Sequence, residues 1–183
     1  MAEKIANRMT PAPASDREIA QLDITREFDA PRDLVWKAWT EPERLARWWG
    51  AAGSEIRVAN LDLRPGGVFH YSMVTPNGSP IWAKFIYREV DPQSRLVFVN
   101  SFSDERGGLT RNPWIAEWPL EIHNTLTLTE VDGRTRLTLR GGPINASAAE
   151  LASFTAAIGG MEKGFAGTFK QLDAYLAEAL ARA

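Results

Sequence analysis

The sequence predicts an α+β protein, an antiparallel meander of about seven strands covered by one long C-terminal helix. Leu151, Phe154, Ile158, Met161, Phe165, Phe169, Leu172 and Leu176 recur at steps of three or four, which sets them on one helical face between Ala146 and Ala183. Upstream, short alternating stretches are separated by Pro65-Gly66-Gly67, Pro76-Asn77-Gly78 and Asp132-Gly133, so consecutive strands are antiparallel neighbours. No glycine-rich phosphate loop appears, which removes a parallel nucleotide-binding sheet.

The elements follow in order. Ile19 to Phe28 alternates at Leu22, Ile24 and Phe28, the period of a half-buried strand. Asp29-Ala30-Pro31 then opens a helix whose apolar side is Leu34, Val35, Ala38 and Trp39. Thr40-Glu41-Pro42-Glu43 has capping-box spacing and opens a second short helix, stopped at Trp48-Trp49-Gly50. Strands are expected over Glu55 to Leu63, Val68 to Val74, Ile81 to Val90, Arg95 to Phe102, Glu121 to Glu130 and Arg134 to Leu139, with a further turn at Asp91-Pro92.

A length of 183 residues, 44% of them hydrophobic and 24% charged, fits a single domain able to bury a core. Residues 1–17 read as a flexible tail and 18–183 as the domain. The tail has neither the apolar core of a signal peptide nor the length of a membrane span, so the expected location is cytoplasmic, with no membrane partner. A net charge of -2 and no basic run argue against nucleic acid. With no cysteine and two histidines, neither thiolate chemistry nor a metal centre is expected, and no cofactor is implied.

No nucleophile elbow, zinc-protease motif or dinucleotide fingerprint occurs, so no catalytic residue is assigned. On the strand 121–130, alternation from Leu126 and Leu128 puts His123 on the opposite face. Phe69, Tyr71 and Met73 share one face, whereas Trp82, Phe85 and Tyr87 cannot be assigned to a single one. Asp62 and Arg64 read as a solvated pair beside the Pro65 turn. The segment Asp104 to Pro119 is too long for a hairpin turn and carries Trp114 and Trp118, which either line a functional loop or seal a sheet end.

The order of motifs resembles the SRPBCC, or START-like, superfamily, and within it proteins similar to the C-terminal domain of the heat-shock-protein-90 ATPase activator. Phe28-Asp29-Ala30-Pro31, Val35-Trp36 and Ala38-Trp39-Thr40 look like that family's opening, and Glu41 to Trp49 like its second helix. Leu61 to Gly67, Tyr87 to Val90 with Arg95 to Phe98, Trp118 to Glu121, Thr127 to Glu130 with Gly133 to Thr135, and Met161 to Leu176 complete the match. The resemblance implies a helix-grip fold, a strongly curved antiparallel sheet around the C-terminal helix with a cavity between them. Phe85 departs from the family, standing where similar proteins often carry glycine, and so does Phe165-Ala166, where they often carry tryptophan after Gly164. Bulky rings on inward faces would change the volume of that cavity.

Three functions are consistent with this reading. The first is binding of a small apolar or aromatic molecule by Trp49, Phe69, Tyr71, Trp114, Trp118, Phe154, Met161 and Phe165. The second is protein interaction, as a homodimer or with a chaperone partner, the latter implied by the resemblance. The third is a cyclase or hydratase using His123 or an interior carboxylate such as Glu121.

Glycines 159, 160, 164 and 167 interrupt the C-terminal stripe. Either the helix breaks at Gly159-Gly160, or it continues with a bare side that another element or a ligand approaches closely. The segment from Gly159 to Gly167 is the expected mouth of the cavity.

Overall fold

The structure is a computed structural model and describes residues 21–74 and 78–182. The expected tail, the start of the first strand at Ile19, and Pro76 and Asn77 of one turn lie outside those residues.

Seven antiparallel strands form one sheet in the order β1-β7-β6-β5-β4-β3-β2. They are β1 (Leu22–Phe28), β2 (Glu55–Leu61), β3 (Val68–Val74), β4 (Ile81–Asp91), β5 (Arg95–Ser103), β6 (Glu121–Val131) and β7 (Arg134–Ile144). From β2 to β7 the chain meanders, and β1 returns to pair with β7, Leu22 opposite Gly141 and Phe28 opposite Thr135. The two outer strands, β1 and β2, are bridged by α1 (Arg32–Thr40) and α2 (Pro42–Trp48). Register shifts at Val58/Asn60 and Tyr87/Glu89 bend the sheet, as bulges do. It curves around α3 (Ala148–Ala181).

Turn chemistry sets several boundaries. Asp132 and Gly133 both take positive φ, 52° and 76°, as a two-residue hairpin turn requires. Gly67 is obligatory for another reason: a Cβ there would lie 2.0 Å from the Asp62 carbonyl oxygen. That close turn lets the Gly66 N–H donate to Tyr87 O at 2.8 Å and ties the β2–β3 connection to β4.

Two expectations need correction. The capping box at Thr40 does not form, because the Thr40 hydroxyl donates back to Trp36 O (2.8 Å) and Glu41 stands at the N-cap without a side-chain cap bond. A capping box forms instead at α3, where Ser147 Oγ accepts from Glu150 N (3.2 Å) and Glu150 Oε2 accepts from Ser147 N (2.8 Å). Nor does α3 break at Gly159-Gly160. It is continuous, and a Cβ at any of its four glycines would meet nothing within 4 Å. Among the described residues no neighbouring element packs on their bare side, so within this part of the chain the glycines weaken the helix without a packing return.

The core has two parts. The larger joins α1, α2, the inner faces of β3 to β7 and the C-terminal half of α3, around Trp39, Trp48, Phe69, Tyr87, Leu126, Phe169 and Leu172. The smaller holds Leu22, Ile122 and Phe154, with Trp118, Met161 and Phe165 partly buried against it. The described residues contain no helix long and apolar enough to cross a membrane.

Candidate functional site

Between sheet and α3 the two cores meet only through Ile24 and Phe165, which pack against both and leave space beside them. Inward positions on each strand recur with period two, which brings Leu22 of β1, Asn100 and Phe102 of β5, Ile122 and Asn124 of β6 and Gly141 of β7 to one end of the concave face. With Trp118, Phe154, Met161 and Phe165 they enclose a first chamber of about 180 Å³. A second chamber, about 330 Å³ and more open, lies between Trp49, Tyr71 and Met73 on one side and Met161, Gly164, Phe165 and Thr168 on the other. Met161 and Phe165 line both chambers and form the wall between them.

Phe85 closes the bottom of this space. It stacks on Phe98 with ring centroids 4.4 Å apart and meets Trp49 and Phe69 edge-on at 5.7 and 5.3 Å. The departure from glycine at this position is therefore a filled interior under Trp49, which divides sealed core from open chamber. Tyr71 lines the second chamber. Burial pushes its phenol up to about 12, with the Trp49 side chain partly opposing, so the hydroxyl stays neutral and can both donate and accept.

The long connection between β5 and β6 roofs the first chamber. Asp104 Oδ1 accepts from Arg106 N (2.8 Å) and Gly108 N (2.7 Å), and Lys84 Nζ donates to Gly107 O (2.7 Å), which folds its first half onto the outer face of β4. Asn112 Oδ1 accepts from Trp114 N (2.8 Å) and Ile115 N (3.0 Å), turning the chain so that Trp118 drops onto Phe154, ring centroids 5.6 Å apart. Arg111 Nη1 donates to Glu150 Oε1 at 2.5 Å and clasps this roof to the first turn of α3. The Ser147 backbone N–H and Arg111 together hold the Glu150 carboxyl below its usual range.

The eight residues expected to contact a ligand divide three ways. Trp49 and Tyr71 line the second chamber, Trp118 and Phe154 the first, and Met161 and Phe165 both. Phe69 lines neither, being fully buried in the larger core and stacked on Tyr71. Trp114 is 66% exposed and lines a different groove, about 450 Å³, with Trp82 and with Phe102, which it shares with the first chamber. The loop has no periodicity, so nothing in its sequence separates an outward indole from an inward one. His123 is exposed, and Glu121 shares its face of β6, so neither residue named as the acid or base of a cyclase or hydratase lines a chamber. Asn100, Asn112 and Asn124 were not anticipated. A signal existed for Asn124, which has the same strand parity as Leu126 and Leu128 and so points inward with them.

The comparisons with known proteins agree with this architecture. Activator of Hsp90 ATPase homolog 1-like protein is the family that matches, over residues 29–177. The chain is similar to the crystal structure of protein Ms6760 from Mycobacterium smegmatis, at 33% identity over 88% of this chain and 93% of that one, with a TM-score of 0.71. It is also similar to a solution structure from Arthrobacter aurescens (29% identity, 89% of each chain, TM-score 0.73) and to protein NE0264 from Nitrosomonas europaea (26%, 91% and 99%, 0.70). No curated protein matches the chain. The match over most of the sequence, with a curved seven-stranded sheet gripping a long C-terminal helix, places the chain in the family of activator of Hsp90 ATPase homolog 1-like proteins.

Proposed function

We propose that the protein binds a small apolar or aromatic molecule between the curved sheet and α3, contacting Trp49, Tyr71, Trp118, Phe154, Met161 and Phe165. One observation carries this reading. Two largely apolar chambers meet at Met161 and Phe165, beneath a stretch of α3, residues 155–168, in which no residue is buried. A helix kept in place while its middle is only partly packed leaves room that an apolar guest can fill, and filling it recovers dispersion contacts the open wall lacks.

The test is a titration of the full chain with N-phenylnaphthylamine, followed by the emission of the dye. Saturable binding is expected for the wild type, and its loss for Met161→Trp, which fills the shared wall. A wild type that never saturates, or a variant that binds equally well, contradicts the reading.

A second reading, contact with a protein partner, rests on a different surface. Leu109, Trp114 and Ile115 on the β5–β6 connection are 47%, 66% and 39% exposed, an apolar set that a chaperone or a second copy of this chain would cover. Pull-down with the chaperone, its ATPase rate, and sedimentation of wild type against Trp114→Ala test it. No capture, an unchanged rate and a monomer in both samples would remove it. A cytoplasmic location accompanies both readings and is checked by cell fractionation.

A further inference from the structure

The first chamber has a polar end whose hydrogen-bonding sense is fixed by the backbone. Asn124 is buried, and its Nδ2 lies 3.0 Å from Ile122 O and 2.6 Å from Asn100 Oδ1. A backbone carbonyl can only accept, so the atom of Asn124 facing Ile122 O is the nitrogen, and the atom of Asn100 facing that nitrogen is the oxygen. The Asn100 amide nitrogen is left over, without a partner among the described residues. The same logic holds for Asn112: two backbone N–H groups occupy its oxygen, so its nitrogen is the group left without a partner among the described residues. Both residues line the chamber. Gly141 makes room for this arrangement, because a Cβ there would stand 2.3 Å from Asn124 Oδ1.

The rest of the wall is apolar, and among the described residues no lysine or arginine lines it. Arg111, next to Asn112 on the roof, is turned to Glu150 and the Trp118 carbonyl. An anionic headgroup would therefore be buried without a counter-charge, which is costly. Amide donors with no partner of their own favour a neutral acceptor. The volume of about 180 Å³ is close to that of an engineered protein cavity of about 150 Å³ that takes benzene, so one substituted ring fits.

We infer that the ligand of the first chamber is a neutral, carbonyl-bearing ring compound whose oxygen accepts from the Asn100 and Asn112 amides while its ring lies between Trp118, Phe154 and Phe165. This rests on the proposed ligand-binding role and names the chemistry that would be selected.

The experiment uses the full ¹⁵N-labelled chain and three probes of similar size: acetophenone, isopropylbenzene and benzoate. Affinities come from the chemical-shift titration of backbone amides, and the side-chain amide signals of Asn100 and Asn112 are followed separately. Acetophenone should move those side-chain signals and isopropylbenzene should not. In Asn100→Leu the ratio of ketone to hydrocarbon affinity should fall about tenfold, the effect of removing one buried hydrogen bond. Benzoate should bind more weakly than the ketone. If the variant does not fold, the wild-type side-chain shifts still decide. Binding of ketone and hydrocarbon with the asparagine signals unmoved, a ratio unchanged in a folded variant, or preference for benzoate would overturn this inference and leave the ligand-binding role standing. Failure of all three probes to bind at the chamber would remove both.

Discussion

The two halves of α3 are built differently although they belong to one unbroken helix. In the C-terminal half Phe169, Leu172, Tyr175 and Leu176 are all buried, at 0% to 7% exposure, against β1, α1 and α2. Polar ties surround them: Arg26 pairs with Asp173, Arg44 Nη1 donates to the Tyr175 hydroxyl at 2.6 Å, and Arg47 reaches Glu178 at 2.7 Å. In the N-terminal half the first turn is capped and clasped to the roof, Phe154 is buried, and then nothing is buried until Phe169. The glycines fall in that interval. One half is sealed core, and the other is held at both ends while its middle, through Met161 and Phe165, borders the two chambers.

That contrast makes the two halves respond differently to substitution. Leu172→Ala removes a side chain with no exposed surface and should cost about 2–5 kcal/mol in chemical denaturation, with dye affinity per folded molecule unchanged. A cost below about 1 kcal/mol would mean that the sealed half is not sealed. Gly141→Ala should cost about 1–3 kcal/mol, since its Cβ displaces Asn124 Oδ1, and should also alter the first chamber, which Leu172→Ala does not touch. Gly160→Ala and Gly167→Ala should each raise stability by up to about 1 kcal/mol, because alanine is the better helix former and its methyl meets nothing. A loss at either position would show that the bare side is occupied.

The smallest expected effect concerns pH. Glu150 is held below its ordinary value of 4.5 in the folded chain by the Ser147 N–H and Arg111. A depressed carboxylate adds stability above its unfolded value and loses it as pH falls through the lower folded value. The difference in melting temperature between wild type and Glu150→Gln should therefore be present at pH 7 and shrink below about pH 4.5. A difference independent of pH would mean that the clasp does not depend on the charge of Glu150.

Much of the fold was legible because its signals are local. Alternation gave six of the strand starts and the inward set Phe69–Tyr71–Met73, and Asp132-Gly133 gave the last hairpin, since each depends on residues adjacent in sequence. What depended on distant partners was not legible. The Thr40 box failed because a competing carbonyl, Trp36 O, lies one turn back, and the Gly159-Gly160 pair does not end α3 because packing at both ends holds it. The sequence could not tell Trp114 from Trp118, whose directions depend on the Asn112 turn, nor could it place Phe69 behind Phe85. The asparagines of the first chamber became meaningful only when two adjacent strands and the loop joining them brought them together.

Hydrogen exchange along α3 tests the central claim most directly. With N-phenylnaphthylamine at saturation, amides of residues 155–168 should gain protection while those of 169–180 stay as they are in the free protein. No change anywhere, or an equal change along the whole helix, would contradict a helix whose open half exists to hold a ligand.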